Sequence, residues 1–259
     1  MTGYHLIPWN QARAMSEEPK TAYYDHLPGK FKDTQWTTII RPSGKGDMAA
    51  LDLLARTYWY PLFWHARRKG ASHQDAEDQV QSFFAYRINS FNISLADPQR
   101  GKFRTFLLTA FRRFLISEWR KTKNIKPPAS LEAMAEENGD ASLPHVEDTR
   151  DADFYRDWAI TLLNLALQRL EEEQNAVGRG ELFGHLKDHL DGGKNLAGLS
   201  EQVGVPVNTL KSDLRRLRKE QLPRLLEDEV RRTLDNPTQA EVDQELRFIR
   251  QFAIGAVAA

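Results

Sequence analysis

The 259-residue chain contains no cysteine. Disulfides and thiolate metal sites are therefore excluded, and the composition fits a reducing compartment. It also lacks an apolar run of the roughly 20 residues that a membrane-spanning helix needs. The opening stretch, MTGYHLIPWNQARAMSEEPK, has no uninterrupted apolar core of the secretory kind. These absences predict a cytoplasmic protein with no membrane insertion. Among the seven histidines only His185 and His189 have HxxxH spacing, and no cysteine accompanies them, so neither a metal site nor a cofactor is expected. Strand signals are scarce. Net charge is missing too, because 36 Lys and Arg balance 36 Asp and Glu.

That neutrality hides segregation. Between residues 102 and 126 lie Lys102, Arg104, Arg112, Arg113, Arg120, Lys121, Lys123 and Lys126, against the single acid Glu118. From 131 to 153 the balance inverts, with Glu132, Glu136, Glu137, Asp140, Glu147, Asp148, Asp151 and Asp153 against Arg150. Residues 211–224 are basic again. Two positive patches separated by an acidic connector make the local fields more informative than their sum.

Periodicity predicts an all-α protein of two helical domains joined by a flexible acidic linker. Residues 1–32 are polar with scattered aromatics and prolines, and read as an N-terminal extension. The first domain, 33–122, opens on a short helix over 33–41. Leu51, Leu54, Ala55, Tyr58, Leu62 and His65 mark a helix over 47–69, which Pro61 is expected to bend or break. Ser72 or His73 starts the next helix, with Val80, Phe83, Phe84 and Ile88 on its buried side. A turn-rich loop, 89–101, precedes a long helix over 103–122 in which Phe106, Phe111, Phe114 and Trp119 have the spacing of a buried stripe. Residues 123–152, with Pro127-Pro128, Pro144 and the acidic run, have linker composition. The second domain spans 153–232, with helices over 154–173, 181–190, 196–203 and 206–232. A C-terminal extension, 233–259, holds one more amphipathic helix over 238–253.

Residues 196–222, LAGLSEQVGVPVNTLKSDLRRLRKEQL, read as a helix-turn-helix. Leu196, Leu199 and Val203 share one face of the first helix. Gly204 supplies the positive φ of a tight turn, and Pro206 suits the first turn of the second helix. Leu210, Leu214 and Leu217 then point inward. The other face offers Asn208, Thr209, Lys211, Ser212, Arg215, Arg216 and Lys219, a set suited to base edges and phosphates in a major groove. Base contacts belong to the first turns, whereas Arg216 and Lys219 suit the backbone.

Residues 47–122 resemble the second conserved region of the sigma factors of bacterial RNA polymerase. The likeness is carried by DMAALDLLARTYWYPLFWHARRKGASHQDAEDQVQSFFAYRI and by GKFRTFLLTAFRRFLISEWRK. The helix-turn-helix falls where that family's fourth region belongs, and the whole is similar to the two-domain, extracytoplasmic-function type with a C-terminal extension. The resemblance implies a sigma factor without catalysis of its own, whose partners are core RNA polymerase and promoter DNA. It implies polymerase contact for Asp75, Asp78, Gln81 and Phe84. It also implies promoter contact for Lys102, Phe103, Arg104, Arg112, Arg113, Arg120 and Lys121, where cations and aromatics suit melted DNA. An anti-sigma or other regulatory protein is a further partner of the kind the family uses. The tail 225–259 or the acidic linker is a candidate for covering a basic face. Pro206 departs from the family, which commonly has a Ser or Thr cap there.

Two other readings compete. A polymerase-independent helix-turn-helix regulator would leave the 75–84 helix unexplained. A carboxylate metalloenzyme is disfavoured because the adjacent Glu77 and Asp78 diverge by about 100° around a helix.

Overall fold

The computed structural model describes residues 48–87, 102–123, 151–190, 195–234 and 236–255. The expected 33–41 helix, the N-terminal extension, the 89–101 loop and nearly all of the linker lie outside the described residues. Those described are helices joined by turns, with no strand among them, so the protein is all-α there. By contacts the chain divides into two compact units. One holds the described residues up to Trp158 together with Arg232–Asn236, and the other holds Ala159–Arg231 and the residues from Pro237 onward.

The N-terminal unit contains α1 (Met48–Arg68), α2 (His73–Ser82), α3 (Phe103–Lys123) and the first turns of α4 (Ala152–Ala176). Leu54, Tyr58, Leu62 and His65 recur at three- and four-residue steps along α1 and are all buried. Of the bend or break expected at Pro61, the break does not occur, because α1 runs unbroken through it. An interior proline costs about 3 kcal/mol. Burying large apolar side chains such as its neighbours Leu62 and Phe63 contributes about 1.5–3 kcal/mol each, enough to hold the helix.

Ser72 caps α2, accepting a hydrogen bond from the Asp75 amide at 3.1 Å and donating its own hydroxyl to the Asp75 carboxylate at 2.7 Å. α2 ends in a π-helical turn, Phe83–Arg87, which delivers the Phe83 ring between Phe111 and Phe114 of α3, with centroids 5.1 and 5.6 Å away. Phe154, Tyr155 and Trp158 from α4 complete this aromatic core. That is why the contact division falls between Trp158 and Ala159, some residues beyond the linker end at 152 that composition suggests.

The C-terminal unit contains the rest of α4, then α5 (Gly180–Leu186), α6 (Leu196–Val203), α7 (Val207–Arg216), α8 (Leu222–Arg232) and α9 (Gln239–Gly255). Leu163, Leu167 and Leu170 of α4 pack with Phe183, Leu199, Leu210, Leu214, Leu217 and Leu225 in one core. Ion pairs flank that core and tie α8 to α4, Arg169 to Glu229 at 2.8 Å and Arg224 to Glu173 at 2.7 Å. A reciprocal capping box between Thr238 and Glu241 starts α9, whose Val242, Glu245 and Ile249 are buried.

Two buried titratable groups in the N-terminal unit oppose each other with pH. His65 lies between the rings of Phe111 and Phe154. Burial holds its pKa well below the usual imidazole value, reinforced by the charges of Arg112, Lys69 and Arg68. Below about pH 6.5 the unfolded chain therefore takes up a proton that the fold refuses, and stability falls with acid. Burial pushes the Asp157 carboxyl up to about 7 against the pull of Arg68, so its contribution to stability instead fades as pH rises from about 4 to 7. In denaturant titrations just below about pH 6.5 the two trends oppose each other in the wild type. His65→Leu should then lose stability with rising pH and Asp157→Asn should gain it, each by up to about 1.4 kcal/mol per pH unit. Parallel curves for all three proteins would refute this.

Candidate nucleic-acid interface

Helix α7 presents the most complete set of side chains for nucleic acid. Asn195 caps α6, accepting from the Ala197 amide at 2.9 Å, and Gly204 ends that helix in the left-handed conformation at φ 66°. The Ser200 hydroxyl donates to the Val205 carbonyl at 2.6 Å and so fastens the turn from within. Pro206 sits one position earlier than the sequence suggests, as the N-cap before Val207. Without a side chain able to cap, its carbonyl accepts from the amides of Thr209 and Leu210, at 2.9 and 3.1 Å.

Leu210, Leu214 and Leu217 are buried, while Asn208, Thr209, Lys211, Ser212, Arg215, Arg216 and Lys219 are all exposed. Four cations and three small polar side chains thus share one open face. α7 also carries an acid that sequence reasoning passed over. Asp213 is nearly buried, and its carboxylate accepts from Arg179 at 2.6 Å and from Arg216 at 3.2 Å. The signal lay in the sequence as the single acid within KSDLRRLRK.

The basic stretch of α3 divides sharply. Arg104 is 4% exposed, its guanidinium 4.7 Å from the centre of the Trp158 ring and 5.7 Å from that of Tyr155. Arg112 is 9% exposed and paired through its two terminal guanidinium nitrogens with Asp151. Both were expected to meet DNA, and both instead hold residues 151–158 against the unit. Nearby, Arg68 pairs with Asp157 and approaches Asp153 at 3.8 Å.

The remaining residues of that expected set lie further out. Lys102 and Arg113 are half-buried, while Arg120 and Lys121 are exposed, Lys121 pairing with Glu118 at 2.8 Å. Arg113 and Arg120 stand seven residues apart, about two helical turns, on one side of α3. Phe103 is half-buried between Tyr58 and Phe106, with centroids 5.8 and 5.9 Å away. Phe111 and Phe114 belong to the core, as their spacing indicates, whereas Phe106 and Trp119 are half-buried.

On α2, Asp75, Asp78 and Gln81 are exposed, with Phe84 half-buried beside Phe83. Asp75 has a second task, since its carboxylate closes the Ser72 cap. Among the described residues no three His, Asp or Glu side chains converge as a metal site, and no helix is long and apolar enough to cross a membrane. Comparison with family models, curated proteins and solved structures finds no match to this chain.

The division of α3 has a measurable outcome. Asp151→Ala, which strands the Arg112 charge, should cost about 3–5 kcal/mol in chemical denaturation. In DNA titrations over a range of salt, Arg120→Ala should flatten the slope of log K against log salt by about one. Arg104→Met, provided it folds, should leave that slope unchanged; equal flattening by both variants would return Arg104 to the DNA surface.

Proposed function

We propose that the protein is a sigma factor of the extracytoplasmic-function type, acting in the cytoplasm without catalysis of its own. In this reading the N-terminal unit docks core RNA polymerase through α2 and holds the melted promoter element with the outward cations of α3. α7 reads the farther promoter element, and the acidic segment between the two grips tethers them. The observation that carries the DNA half is the sorting of α7 and its continuation, with seven polar or cationic positions open and the intervening leucines buried. The polymerase half rests on the resemblance of residues 47–122 and on the exposed Asp78 and Gln81. A polymerase-independent regulator would need the same α7 surface but would have no use for α2.

Purified full-length protein, mixed with bacterial core polymerase and DNA of its own genome, should produce transcripts with discrete start sites. Their absence, together with tight site-specific DNA binding by the protein alone, would sink the sigma reading in favour of the lone regulator. Asp78→Lys should weaken binding to core polymerase by roughly 30-fold, the about 2 kcal/mol of an interface hot spot. Its melting temperature should barely move, because surface changes stay within about 0.5 kcal/mol. Asp75→Ala should weaken polymerase binding and cost no more than about 1 kcal/mol of stability, because it removes the exposed Ser72 hydroxyl bond but keeps the amide that Ser72 caps.

A further inference from the structure

An acid within a basic recognition surface is electrostatically expensive when the ligand is a polyanion. Asp213 nevertheless sits in the middle of α7, flanked by Lys211, Ser212, Arg215 and Arg216. It is held from two sides. Arg179 reaches one carboxylate oxygen from the corner between α4 and α5, and Arg216 reaches the other from one turn along α7. The Arg179 end is firmly placed. Its amide donates to the Gln174 carbonyl at 2.8 Å, its carbonyl accepts from the Phe183 amide at 2.9 Å, and Gly178 before it turns the chain at φ 73°. The Asp213 side chain is 12% exposed, whereas that of Arg216 is 44% exposed. The carboxylate is thus an inner anchor and the guanidinium an outer arm.

From this geometry we infer that Asp213 is a positioning residue for DNA binding. Anchored by Arg179, it fixes the guanidinium of Arg216 at the edge of the recognition face, where it meets the phosphate backbone. A guanidinium has five N–H donors, so one bond to Asp213 leaves most of the fork for a phosphate. Fixing a long flexible side chain beforehand lowers the entropy lost on binding. The inference rests on the reading of α7 as a DNA-binding helix and goes beyond it by giving an acid a constructive part there.

The sign of one substitution separates this from plain electrostatics. Asp213→Asn adds one unit of positive charge, so Coulomb attraction alone predicts tighter DNA binding. Positioning predicts the opposite. With full-length protein and a labelled duplex of arbitrary sequence, D213N and R216A should each weaken binding by roughly three- to tenfold and flatten the salt slope by about one. The double variant should be no weaker than R216A, since both changes remove the same contact. D213E keeps the charge but displaces it on a longer stem, and should also weaken binding; it serves if D213N melts below the assay temperature.

Tighter binding by D213N, or losses that simply add in the double variant, would overturn the inference while leaving α7 a DNA-binding helix. Absence of salt-dependent binding by the wild type, with and without polymerase, would overturn both.

Discussion

A guanidinium keeps its charge at any physiological pH, so it can enter a protein interior only with carboxylates or aromatic faces around it. The N-terminal unit is organised around that constraint. α3 turns Arg104 and Arg112 inward, where both meet residues at the start of α4. Asp151 pairs with Arg112, and the Tyr155 and Trp158 rings lie against Arg104. The same segment brings Asp157 to Arg68 and Phe154 to His65. Asp151 and Asp153, the last residues of the acidic run, are therefore partners of Arg112 and Arg68.

The C-terminal unit follows the opposite rule, since there the cations stay outside and the leucines do the ordering. Leu210, Leu214 and Leu217 fix the rotation of α7 against the core formed with α4 and α6. Once that rotation is set, every residue between them is committed to the open side. Asp213 is the exception that falls at the border, deep enough to be sheltered and near enough to the face to hold Arg216.

Much of the fold was legible in the sequence because apolar spacing carries it. The helices over 48–68, 73–82, 103–123, 196–203 and 239–255 lie within a few residues of where their stripes place them. Gly204 and Ser72 announced the turn and the cap by residue type. The inward arginines were not legible, because Arg104, Arg112, Arg113 and Arg120 look alike along one helix and only distant partners tell them apart. Asp151 lies 39 residues from Arg112 in the chain, and no local pattern records that pairing. Pro61 does not interrupt α1 for a related reason, as the surrounding tertiary packing outweighs its local cost.

One irregularity was also written in the sequence, though not as a helix signal. The buried leucines from α7 through α8 fall at 210, 214, 217, 222 and 225, so one interval of five interrupts steps of three and four. The π-helical turn Leu217–Gln221 fills that interval, with the Leu222 amide bonded to the Leu217 carbonyl. One extra residue turns everything beyond it by about 100° relative to an unbroken α-helix. The stretch behaves as two registers spliced by a one-residue slip. Before the splice the positions between the leucines of α7 face outward; after it, α8 packs on α4 and meets the start of α9 through Arg231 and Glu227. Descendants of this chain could therefore change the exposed face of α7 while inheriting the scaffold behind it unchanged.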